Sequence, residues 1–197
     1  MYLIYDCTAV SKPVNLKAPF SSTSSWPRLL HLSWIVLNEQ FKPIEDFDGI
    51  VLADNFKIDE EMMKYAKIDA EDVQKKGVEG DLLLKKFAES VEKVAYIFAH
   101  NLALNENILA AEHIRRGLEI PMFRKERFCL MQEGTYFCKL PSKIGGYKWP
   151  TLSELHIACF HSTYNPLNNA RADVIAATRS FIYLMKHKHL EDLFEED

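Results

Sequence analysis

Apolar positions fall into short blocks separated by polar, turn-forming stretches, and their period changes from block to block. Tyr2-Leu3-Ile4-Tyr5 is an unbroken apolar run that closes on Asp6, the pattern of a buried strand delivering a carboxylate to the rim of a sheet. Residues 11–27 are rich in Ser and Pro and read as a long surface loop. The apolar block Leu29–Leu37 predicts a second strand, and a turn around Asn38–Lys42 leads to a third near Ile44–Leu52, with Asp48-Gly49 marking a bulge. Short helices are expected from Asp59 and from Asp69. A third follows Asp81, where Leu82, Leu83, Phe87 and Val91 fall near helical spacing. Val94–Ala99 is a further strand, followed by a helix from about Leu102 to Arg116 that Gly117 and Pro121 stop. Phe128–Met131 is the last strand, and Gln132–Pro150 is rich in turn residues. Thr151 with Glu154 forms a capping box for the helix Leu152–Phe160, and a long helix runs from Asn168 to about Lys188.

Three strands followed by helices alternating with single strands predict an α/β fold, a mixed sheet of about five strands flanked by helices. The length, 197 residues, suits one domain with a full core. Net charge is −4, and Glu191, Asp192, Glu195, Glu196 and Asp197 supply five negative charges, so residues 191–197 read as an acidic tail on a domain of residues 1–190. Bulk charge therefore neither demands nor forbids nucleic acid. The four cysteines (Cys7, Cys129, Cys138, Cys159) make no CxxC pair or zinc spacing and read as buried free thiols in a reducing compartment. No apolar stretch approaches the roughly 20 residues that cross a bilayer. The start has no basic region ahead of its apolar run and turns acidic at Asp6, so it does not read as a signal peptide. A cytoplasmic protein is expected, with no membrane partner.

Four motifs then follow one another in a telling order. Trp26-Pro27-Arg28-Leu29-Leu30-His31-Leu32 resembles the start of the second strand in the DnaQ-like 3′-to-5′ exonucleases (the Asp-Glu-Asp-Asp, His-type family of the ribonuclease H-like superfamily). Ala99-His100-Asn101 with Leu104-Asn105 resembles that family's His-Asn-x-x-Phe-Asp motif. Lys148-Trp149-Pro150-Thr151-Leu152-Ser153-Glu154-Leu155 is similar to the approach to its penultimate helix, and Asn168-Asn169-Ala170-Arg171-Ala172-Asp173 to its His-x-Ala-x-x-Asp motif. The resemblance spans nearly the whole chain. It implies a ribonuclease H-like sheet and two-metal hydrolysis, in which a pair of Mg²⁺ or Mn²⁺ ions about 4 Å apart clamps the attacking and leaving oxygens.

Carried over position by position, the resemblance implies a degenerate site. Asp6 and Asp173 retain carboxylates, whereas the second acidic position holds Thr8, the third Asn105, and the general-base histidine position Asn168. Thr8 is a neutral, weak ligand; Asn105 offers a carbonyl without charge; Asn168 accepts no proton near neutral pH. Asp6 and Asp173 are then expected to face each other across one cleft and to hold at most one Mg²⁺ or Mn²⁺, weakly. Restoring Glu at 8, Asp at 105 and His at 168 would return the missing groups.

Other residues bear on that site. Tyr65-Ala66-Lys67-Ile68 stands where the family carries Ile-His-Gly-Ile, putting Lys67 nearby as a partner for Asp173, which borders a core stripe of Ala170, Val174, Ala177, Phe181 and Leu184. His161 or His100 can replace the missing base, although His100-Asn101 also reads as a turn and helix cap. Glu106 points about 100° away from Asn105 around a helix and does not stand in for it. The basic residues Arg115, Arg116, Arg124, Lys125 and Arg127, with Lys139, Lys143 and Lys148, read first as a solvated face and second as a phosphate track. The expected function is an inactive or strongly weakened exonuclease homologue that keeps single-stranded nucleic-acid or protein binding. One alternative is an active exonuclease with a rearranged site. Another is a protein-interaction module built on the Ser-rich loop and acidic tail.

Overall fold

Five strands, β1 (Tyr2–Ala9), β2 (Leu29–Leu37), β3 (Pro43–Ile50), β4 (Tyr96–Ala99) and β5 (Glu126–Cys129), join in one sheet in the order β3-β2-β1-β4-β5. This is a computed structural model that describes residues 1–53, 56–163 and 169–194. β1, β2 and β3 form an antiparallel meander, and β4 and β5 add parallel to β1. The α-helices of the described chain are α1 (Glu60–Ala66), α2 (Ala70–Lys76), α3 (Gly80–Glu92), α4 (Leu102–Arg115), α5 (Leu130–Glu133), α6 (Thr135–Cys138), α7 (Leu152–Phe160) and α8 (Ala170–Lys186).

The sheet is covered on both sides, and side-chain alternation decides which residue goes where. Leu3, Tyr5, Trp34, Val36, Ile97 and Ala99 point to one face and pack on Leu83, Phe87 and Val91 of α3 and Ile108 and Leu109 of α4. Ile4, Ile35, Leu37 and Phe98 point to the other and pack on Leu155 of α7 and Val174, Phe181 and Leu184 of α8. Every residue of β2 is buried as a result, which is why its sequence is apolar rather than alternating.

Several expected boundaries move. No register shift occurs at Asp48-Gly49; the irregularity in that pair lies between Val36 and Leu37. Glu79, not Asp81, is the N-cap of α3, and Asp81 instead accepts from Arg116 at 2.8 Å. The expected strand Phe128–Met131 turns helical at Leu130, so β5 runs from Glu126 to Cys129. The Ser- and Pro-rich segment is held down as well: Trp26 is buried, and Arg115 donates to the carbonyls of Thr23, Trp26 and Pro27. The chain also stays on the body past residue 190. Glu191–Phe194 forms a 3-10 turn whose Phe194 ring packs against Tyr2, Tyr96, Phe98 and Phe128. Among the described residues no helix is long and apolar enough to cross a membrane.

Candidate functional site

The β1–β4 register pairs end at Ile4 with Phe98, and beyond that point β1 continues alone on this side. The opening lies at the carboxyl end of two parallel strands, the place where open α/β sheets present ligand crevices. A cleft of about 290 Å³ forms there, and Asp6, Thr8, Asn105 and Asp173 all line it. Asn168 lies outside the described residues.

Asn105 acts as a staple. Its Oδ1 accepts the Cys7 N–H at 2.8 Å, a donor left over where β4 ends. Its Nδ2 donates to Asp6 Oδ1 at 3.2 Å and to the His100 carbonyl at 3.0 Å. The side chain is 3% exposed and joins β1 to the first turn of α4. Thr8 does the equivalent for the last helix. Its Oγ1, also buried, accepts the Ala170 N–H at 2.9 Å, and Asn169 caps the same turn through the Ala172 N–H at 3.0 Å. Two of the orphan N–H groups at the start of α8 are satisfied in this way. Thr8 and Asn105 are thus neutral side chains committed to holding the fold.

The two retained acids influence each other. Burial, and after it the Asp173 charge, pushes the Asp6 carboxyl well above the usual carboxylate range, while the Asn105 amide opposes this. Asp173 sits in the first turn of α8, where a negative charge suits the helix dipole. Fitting two divalent ions here fails on the donors present. Two carboxylates leave half of four positive charges uncompensated, and among the described residues no three His, Cys, Asp or Glu side chains gather at metal-holding distance. Asp6 and Asp173 are the two carboxylates of this cleft that could hold a hydrated divalent ion.

The candidate bases fare poorly. His100 lines the cleft, but burial drives its ring down to about 4 against the opposing hydrogen bond to the Pro150 backbone, so it is a weak proton acceptor. His161 is the exposed left-handed cap of α7 and does not line the cleft. Glu106 points away, as its position on the helix requires, and pairs with Arg127 at 2.8 Å. Lys67 caps α1 in a left-handed conformation and lines a depression with Lys64 and Asp69, while Met62 and Tyr65 face the cleft. Sequence reasoning also missed Ser11 and Lys12, which the pinned loop brings to the cleft wall.

Most of the basic cluster is neutralised. Glu112, 1% exposed, receives Arg28, Arg115 and Arg116 together. Arg124 pairs with Glu92 and Glu119, Lys125 with Glu92, and Lys148 with Glu154. Among the described residues only Lys139 and Lys143 of that cluster have no carboxylate partner.

No family model matches the chain, and no curated protein matches its sequence. Solved structures do. E. coli Exonuclease I in complex with a dT13 oligonucleotide is similar over 98% of this chain and 42% of its own, with TM-score 0.71 and 16% identity. A zinc-bound Exonuclease I–single-stranded DNA complex gives 0.69 at 14% identity over the same shares. A 3′-exonuclease that recognises the 3′ end of the histone mRNA stem-loop gives 0.71 at 14% identity, covering 94% of this chain and 81% of that one. The chain therefore spans less than half of Exonuclease I. Its fold, a mixed five-stranded sheet flanked by helices, is the one seen in these exonuclease structures.

Proposed function

We propose that this chain is a DnaQ-like protein, inactive or strongly weakened as a nuclease, that binds single-stranded nucleic acid at the cleft around Asp6. The observation carrying this reading is the use of Thr8 and Asn105 as staples: the atoms that would have to face metal are bonded to Ala170, Cys7, Asp6 and His100 instead. Burial of Asp6 beside Asp173 favours retaining a proton on that pair, which removes part of the repulsion a metal would otherwise offset. The fold's solved relatives with bound oligonucleotides support the choice of ligand.

Calorimetric titration with Mn²⁺ tests the metal half of this reading. Two carboxylates should hold at most one ion, with a dissociation constant on the order of millimolar or too weak to measure. A tight isotherm for two ions would show that other groups complete the site.

A further inference from the structure

The segment from Gly134 to Pro150 contains three lysines and no acid in a chain of net charge −4, so the rest of the chain carries −7. After α6 (Thr135–Cys138) it folds as a hairpin. Pro141 pairs with Tyr147, the Ser142 N–H donates to the Gly146 carbonyl at 3.0 Å, and the Lys148 N–H donates to the Leu140 carbonyl at 2.9 Å. Gly145 and Gly146, at φ 98° and 69°, make the turn that puts Ile144 at the tip. Four large apolar side chains face solvent on this one segment: Tyr136 (77% exposed), Ile144 (98%), Tyr147 (46%) and Trp149 (57%). Nothing in the core accounts for them, whereas both legs of the hairpin are anchored. Phe137 and Cys138 pack on the α8 side of the sheet, and Pro150 at the end of the second leg is buried. Leu152, two residues on, lines the cleft itself.

We propose that this hairpin is a binding platform for single-stranded nucleic acid leading to the cleft: bases stack on Trp149 and Tyr147, and the backbone phosphates lie against Lys139 and Lys143. The inference rests on the reading of the cleft as a nucleic-acid site and names a second contact that reading does not require. Exposed rings interleaved with cations suit this ligand because every base has a stacking face and every phosphate a charge. Lys139 and Lys143 are free to engage phosphate, having no carboxylate partner among the described residues, while Lys148 is held by Glu154 at 2.6 Å. An apolar protein surface would match the rings but leave the lysines uncompensated.

The test is fluorescence anisotropy of labelled oligo(dT) and oligo(U), at several salt concentrations, with the full chain. Trp149→Ala with Tyr147→Ala should weaken binding by at least about tenfold, in line with the loss of two stacking faces. Lys139→Gln with Lys143→Gln should reduce the slope of log affinity against log salt by about 1.4, at about 0.7 for each single-strand phosphate contact. All four side chains are solvent-facing, so thermal midpoints should stay at the wild-type value, which separates lost contact from lost fold. Tryptophan quenching gives an independent readout, because Trp26 and Trp34 are buried at 3% and 0% and Trp149 is the ring within reach of ligand. Wild-type binding that both pairs leave unchanged would overturn the platform while leaving the cleft reading intact. Failure of the wild-type chain to bind either oligonucleotide at low salt would overturn both, and the exposed rings would then mark a protein contact.

Discussion

Glu112→Ala should destabilise the protein by about 3–5 kcal/mol, the range for breaking a buried charge cluster from one side. Glu112 is 1% exposed and is the common acceptor for Arg28 at 2.9 Å, Arg115 at 3.0 Å and Arg116 at 2.8 Å. Its removal leaves three guanidinium groups, each no more than 26% exposed, with less than their former complement of acceptors. Arg116 keeps Asp81 and Arg115 keeps three backbone carbonyls, so the lower half of the range is the better expectation. Loss of that size should lower the midpoint of thermal unfolding by roughly 10 °C in a chain this long. The same group sets an acid limb. Burial alone would raise the Glu112 carboxyl, but hydrogen bonds and charge from Arg28 and Arg116 outweigh this and bring it from 4.5 down to about 2. The unfolded chain therefore takes up the proton first. Stability from this group is complete above about pH 4.5 and disappears as pH falls towards 2, amounting to about 3 kcal/mol. Urea unfolding at pH 7, 4 and 2.5 should show the wild type losing stability on acidification and Glu112→Ala losing correspondingly less; parallel curves would refute the assignment.

Asn105→Asp should be nearly as costly, although it is isosteric and moves the chain toward the family pattern. The amide Nδ2 donates to the His100 carbonyl at 3.0 Å and to Asp6 Oδ1 at 3.2 Å. A carboxylate there has no N–H to give, leaves one carbonyl unsatisfied and adds a third acid to the crowded Asp6–Asp173 pair. A cost of roughly 3 kcal/mol at pH 7 follows. Its sign with pH opposes that of Glu112. Crowded carboxylates have raised folded-state values, so the folded chain binds the extra proton and the variant's deficit should shrink as pH falls from 7 to 4. Thr8→Glu meets a related obstacle, since Thr8 Oγ1 is buried against the Ala170 N–H. Adding the two acids, with Asn168→His, should thus give an unstable protein in metal-free buffer, and Mn²⁺ should raise its midpoint more than it raises the wild type's. Wild-type stability for Asn105→Asp at pH 7 would contradict the staple role.

Much of the scaffold is legible in the sequence because its causes are local. The block Leu29–Leu37 is one strand with the expected limits, and Thr151 with Glu154 makes the capping box that starts α7. Where local signals compete with distant partners they mislead. Asp81 has the chemistry of a cap but is drawn to Arg116, 35 residues away, and Leu130 continues an apolar run yet buries itself as the first residue of a helix. For two of the basic residues the pairing could not be read locally, because the acid lies elsewhere in the chain: Arg124 finds Glu92 at a separation of 32 residues and Arg127 finds Glu106 at 21. The candidate site divides in the same way. That Asp6 and Asp173 share a cleft with Thr8 and Asn105 follows from motif order. What Thr8 and Asn105 do there depends on hydrogen bonds across 162 and 98 residues, which no pattern in the chain encodes.

The most direct measurement is turnover of 5′-labelled single-stranded DNA and RNA by the wild-type chain in Mg²⁺ and in Mn²⁺, run beside Asp6→Ala. On the proposed reading, two ligand charges and an effective base are missing, which removes several tenfold factors, each worth about 1.4 kcal/mol of barrier, although such losses need not add. No shortening of either strand above the level of Asp6→Ala is the result predicted. Steady removal of 3′ nucleotides by the wild type, abolished in Asp6→Ala, would show a working nuclease with ligands other than those assigned here.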